Sequence, residues 1–145
     1  METIPSRATM PALLLAAALV VAGCTASGAP AASHAKAAEV EVIEGSTLKL
    51  VRLTPEAADR LGIATAATIA DGRKLVVPYG AIFYDPNGAP WVYVERAPLQ
   101  FVREAVTIDD IDGDLATLAA GPAAGTNVVT TGVAELYGTE FEVGH

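Results

Sequence analysis

Gly80-Ala81-Ile82-Phe83-Tyr84-Asp85-Pro86-Asn87-Gly88-Ala89-Pro90-Trp91-Val92-Tyr93-Val94-Glu95 reads as a β-hairpin. Two runs of β-branched and aromatic residues flank the turn Asp85-Pro86-Asn87-Gly88. On a strand, Trp91 and Tyr93 share one face and Val92 and Val94 the other. Outward from this hairpin the same signals repeat, as short apolar runs bounded by Gly, Pro, Asn and Asp. Downstream, Leu99 to Ile108 is the longest strand candidate, followed by Asp114 to Ala119 and Asn127 to Thr131, with Gly121-Pro122 and Gly125 between them. The chain then closes with Glu135-Leu136-Tyr137-Gly138 and a short segment from Glu140 to Val143. Upstream, Thr47 to Leu53 suits a half-buried strand, Ile63 to Ile69 another, and Lys74 to Val77 a third behind the turn Asp71-Gly72. One short helix is expected between Thr54 and Gly62. Thr54 can cap it, Pro55 suits its first position, Glu56 favours its positive end and Gly62 can close it. Seven residues are too few for a helix to stand alone, so it is expected to pack on a sheet through Ala57, Ala58 and Leu61. The expected fold is mainly β, a small β-barrel or sandwich with one short helix.

Ahead of this region lies a different kind of sequence. Arg7 is the only basic residue near the start, Pro11 to Ala22 is an uncharged run of 12 residues, and Val21-Ala22-Gly23-Cys24 ends it with small residues and the chain's single cysteine. The run is too short to cross a hydrocarbon core about 30 Å thick. Its layout resembles a bacterial lipoprotein signal, which implies cleavage between Gly23 and Cys24 and acylation (palmitate and related chains) of Cys24. The expected anchor holds the protein to the extracytoplasmic side of the cell membrane through lipid. Three segments follow: a signal peptide at 1–23, a lipidated tether at 24–38 and a β-rich domain at 39–145. The tether is almost wholly Ala, Ser, Gly, Pro and Thr and has no apolar period. It spans about 20 Å as a coil. The 107 residues that remain are enough for one domain.

Charge and residue types narrow the function. Cleavage would remove Glu2 and Arg7 from the 17 acidic and 9 basic residues, leaving 16 and 8 and a formal charge of −8. Such a surface disfavours nucleic acid and anionic lipid. No constellation of nucleophile and base is evident, since His34 lies in the tether and His145 at the terminus. Neither enzymatic activity nor a cofactor is expected. Asp109-Asp110-Ile111-Asp112-Gly113-Asp114 invites a calcium reading, but counting from Asp110 puts Gly113 at position 4 and Gly121 at position 12, where an EF-hand needs Gly at 6 and Glu at 12. It is expected to be a solvated turn between strands. With no Met and no free Cys after cleavage and two isolated His, the chain offers no soft-metal site. Phe83, Tyr84, Trp91, Tyr93 and Phe101 concentrate in the hairpin and the next strand. They are either a packed core or, at Trp91 and Tyr93, the anchor of a partner contact.

Several of these landmarks occur in a familiar order. Leu53-Thr54-Pro55-Glu56-Ala57-Ala58-Asp59-Arg60-Leu61-Gly62-Ile63 is similar to the early L-T-x-E-A-x-x-x-L-G-I segment of the periplasmic adaptor subunits, or membrane fusion proteins, of resistance-nodulation-division (RND) efflux pumps, especially their heavy-metal branch. Val77-Pro78-Tyr79-Gly80-Ala81-Ile82 looks like the V-P-x-x-A-V strand at which those adaptors enter their membrane-proximal region. Trp91-Val92-Tyr93-Val94, Phe101-Val102-Arg103, Gly121 to Gly125 with Val128-Val129, and Gly132 followed by Glu135-Leu136 continue the pattern. In complete adaptors a lipoyl-like domain, a helical hairpin and a β-barrel separate the first two segments. Here only Ala64 to Val76 does, room for a strand, a turn and the start of another strand. The resemblance therefore implies a truncated adaptor, a lipid-anchored accessory protein that docks on an RND-type transporter. The alternatives are a free-standing lipoprotein that binds a small molecule or cation, and a degenerate adaptor remnant.

Overall fold

In the computed structural model, which describes residues 36–142, Val92 and Val94 point to one side of their strand and Tyr93 to the other, and this alternation divides the core in two. The strand is β7 (Pro90–Ala97), the centre of a seven-stranded antiparallel sheet. With β1 (Ala38–Val42), β2 (Lys49–Leu53), β3 (Ala64–Ala67), β6 (Phe83–Tyr84), β8 (Gln100–Ala105) and β11 (Asn127–Thr131), the order is β1-β2-β8-β7-β11-β3, and β6 also pairs with β7. A second antiparallel sheet runs β4-β5-β10-β9, from β4 (Ile69–Asp71), β5 (Lys74–Pro78), β9 (Thr107–Asp112) and β10 (Leu115–Ala120). Val77, Ala81, Val92, Val94, Val106, Ala116, Leu118 and Val128 fill the space between the sheets. On the other face of the larger sheet, Val51, Leu53, Tyr93, Phe101 and Val129 meet Ala57 and Ala58 of α1 (Pro55–Leu61) and Leu136 of α2 (Val133–Phe141). The architecture is thus mainly β and sandwich-like rather than a closed barrel.

Helix α1 has the ends its sequence prescribes. Thr54 Oγ1 accepts from the Ala57 N–H at 3.2 Å, and Gly62, at φ 63°, donates its N–H back to the last turn. Pro55 stands at the start, where no N–H is needed. The turn after β6 is equally local in origin. Asp85 Oδ1 accepts from the Asn87 and Ala89 N–H groups at 2.8 and 2.9 Å, and these bonds, that of Ala89 first, hold the Asp85 carboxyl below its ordinary pKa.

The structure corrects four expectations. The long strand Leu99 to Ile108 is broken at Val106, where the chain leaves the larger sheet as β8 and joins the smaller one as β9. Val106 is 6% exposed, and its N–H is satisfied by Pro90 O at 3.1 Å. Asp109 to Asp112 belong to β9 rather than to a turn, because they pair with β10. A second helix, α2, forms in the closing segments, whereas the only helix expected lies between Thr54 and Gly62. Strand β1, in which Ala38 pairs with Leu53, is one the sequence pattern did not mark. Finally, the strand expected from Ile63 to Ile69 is likewise broken at Thr68, where the chain passes from β3 of the larger sheet to β4 of the smaller. The Thr68 N–H bonds to Thr126 O and its carbonyl accepts from Gly125 N–H, each at 2.8 Å.

Candidate functional site

Antiparallel register sets Tyr93 of β7 directly opposite Arg103 of β8, with both side chains under α2. Glu140, in the last turn of that helix, is wholly buried between them. The Tyr93 hydroxyl donates to Glu140 Oε2 at 2.6 Å, and Arg103 Nε stands 3.2 Å from Glu140 Oε1. The Arg103 contact is Coulombic, since Nε is not aligned for a hydrogen bond. Its guanidinium lies between two aromatic faces, 4.6 Å from the Trp91 ring centroid and 5.0 Å from that of Phe141. Lys49 closes the helix end. Its Nζ donates to the Glu140 carbonyl at 2.8 Å, where the helix dipole is negative, and sits 5.0 Å from the Phe141 ring.

An aromatic chain continues from this cluster. Phe83 stacks on Tyr93 with centroids 4.9 Å apart, Tyr137 meets Phe83 edge-on at 5.6 Å, and Phe141 lies 4.7 Å from Tyr137. Burial pushes the Tyr93 phenol well above its ordinary pKa near 10. The hydrogen bond to Glu140 and the Glu140 charge push the same way, and Arg103 opposes them. Tyr93 and Glu140 are fully buried, with the phenol bonded to the carboxylate and the carboxylate facing Arg103. The arrangement acts as a latch that fixes α2 on the sheet.

The two aromatics singled out by sequence part company. Tyr93 is fully buried, so core packing describes it and it offers no surface to a partner. Trp91 is half-buried, covered on one face by Arg103, and its Nε1–H donates to Asp85 Oδ2 at 3.3 Å. Glu140, the carboxylate that joins Tyr93 to Arg103, is not among the residues that the sequence pattern singles out. Its signal was the i, i+4 spacing of Leu136 with Glu140 and of Tyr137 with Phe141. Gly23 and Cys24, the expected cleavage and lipidation positions, lie outside the described residues, as do His34 and His145. Among the described residues no three His, Cys, Asp or Glu side chains gather as a metal ion requires, and no helix is long and apolar enough to cross a membrane. Comparison with protein-family models, with curated proteins and with solved structures finds no match.

Proposed function

We propose that the chain is a lipid-anchored extracytoplasmic accessory protein whose β-rich domain docks on an RND-type efflux transporter. What carries the reading is how two adaptor-like segments are joined. Leu53 to Ile63 supplies the end of β2 and all of α1, and Val77 to Ile82 supplies the end of β5 and the 3-10 turn Tyr79–Ala81. Between them, residues 64–76 are used up by β3, the crossing at Thr68, β4, the turn at Gly72 and the start of β5. No residue is left over for an inserted domain. Both segments then belong to one two-sheet body, in which β2 pairs with β8 and β3 with β11.

The role is positional rather than catalytic. Acyl chains on Cys24 confine the domain to the membrane surface, and the tether sets its reach at about 20 Å. The formal charge of −8 keeps the body from lying flat on anionic lipid. Binding to a transporter supplies the specificity that the lipid lacks. Sedimentation of gently solubilised native membranes tests this. The acylated chain is expected to migrate with an RND transporter, at far higher mass than its own. Migration at its own mass, with the domain folded, removes the support for docking.

A further inference from the structure

The pairing of the smaller sheet fixes what each of its faces carries. Leu75, Val77, Ala116 and Leu118 turn inward onto the second core, so the alternate positions turn outward. These are Ile69 opposite Val76, Val76 opposite Thr117, and Pro78 opposite Leu115. A solvated sheet face ordinarily alternates to polar residues. Apart from Thr117 in its middle, this one is apolar across three strands, with Ile69 62% and Leu115 51% exposed. Tyr79, which follows Pro78 and is held by its N–H on Asp114 O at 2.8 Å, adds an exposed aromatic at the end of the strip.

The border of this strip is acidic. On β9, Asp110 stands opposite Thr117 and Asp112 opposite Leu115, and Asp114 lies in the turn beyond. At the far strand, Asp71 pairs across from Lys74 and the exposed Arg73 in the turn between them offsets its charge, so the acidic border is the β9 side. Lys74 is engaged by Asp109, so it does little to offset the rest.

We infer that this outward face is the docking surface, and that its occupant is a protein segment with an apolar strip flanked by Lys or Arg; the inference rests on the docking reading above. Charge selects the occupant. A second copy would bring a second set of Asp110, Asp112 and Asp114 to the same interface, and like charges across an interface cost several kcal/mol. Anionic lipid and nucleic acid meet the same repulsion. A basic-flanked segment covers the apolar strip and pairs with the rim, and exposed tyrosine suits the centre of such an interface.

Photocrosslinking in native membranes tests it on the full, acylated chain. A benzophenone amino acid is placed at Leu115 or at Tyr79, with Glu56 and Val42 as positions on other faces. Crosslinks from Leu115 and Tyr79 to one transporter are expected, with Lys or Arg close to the crosslinked residue in the sequenced peptide. The paired change Asp110→Lys and Asp112→Lys is expected to lower the yield roughly tenfold, since it turns attraction into repulsion. Thermal unfolding of that variant is expected to match the parent, and added salt should weaken the parent's crosslink. Transporter crosslinks from Glu56 or Val42 alone would overturn this surface and leave docking standing. Crosslinks from Leu115 to a second copy, to lipid or only within the chain would also overturn it. No protein crosslink from any of the four positions would count against both.

Discussion

The Tyr93 hydroxyl bonds to Glu140 Oε2 at 2.6 Å, tying the central strand of the larger sheet to the last turn of the C-terminal helix. Because burial raises the phenol's pKa, the folded state prefers neutral Tyr93. The stability this supplies is fully present below the unfolded value near 10 and is lost as pH rises past it. Urea unfolding of the parent is therefore expected to weaken above about pH 10, and Tyr93→Phe should flatten that decline. Near neutral pH the same variant should lose about 1–3 kcal/mol, because a buried carboxylate oxygen loses its donor. An unchanged alkaline decline would remove Tyr93 as its source.

Arg103 and Glu140 form the pair that fastens α2. Glu140→Ala leaves a mostly buried guanidinium without its counter-charge and should cost about 3–5 kcal/mol. Changing both, to Arg103→Met with Glu140→Leu, should cost clearly less than the sum of the single changes. A double-mutant cycle by urea unfolding measures this. Strict additivity would mean that the two charges do not sense each other.

Gly132 starts α2 at φ 84°, and a Cβ there would lie 2.3 Å from Ile63 Cδ1 and 3.3 Å from Leu61 O. Gly132→Ala combines a left-handed backbone, about 1–2 kcal/mol, with overpacking of about 1–3 kcal/mol. Gly72→Ala carries only the first of these, because nothing lies within 4 Å of its Cβ position. Thermal melts of the two variants should differ by several degrees. Equal losses would mean that the Ile63 contact yields freely.

Cys24→Ser tests the proposed lipid anchor by removing its expected acyl acceptor. The protein is expected to move from the membrane to the soluble extracytoplasmic fraction, because the charged domain has little affinity for lipid of its own. Continued membrane retention without acylation would contradict the lipoprotein reading.

Local chemistry made much of the fold legible. Thr54, Pro55 and Gly62 bound α1 through contacts within a few residues, and Asp85 closes its hairpin in the same way. The break at Val106 was not legible. The chain stays extended through it, no Gly or Pro marks it, and only tertiary packing decides which sheet each half joins. Helix α2 was hidden for a related reason. Gly138 and four β-favouring residues weaken its propensity, Gly132 provides no side-chain cap, and the helix is held by Leu136 and Glu140 buried against the sheet. Glu140 looked like a surface carboxylate because the residues that neutralise it, Tyr93 and Arg103, lie 47 and 37 positions away. Aromatic clustering pointed to the right strand, but whether Tyr93 faced a partner or a helix depended on α2.

The most direct measurement is affinity purification of the full acylated chain, tagged after His145, from gently solubilised native membranes, with the recovered proteins identified by mass spectrometry. An RND transporter subunit is expected in stoichiometric yield, and Cys24→Ser should reduce its recovery. A folded, acylated protein that brings down no transporter would contradict the docking function.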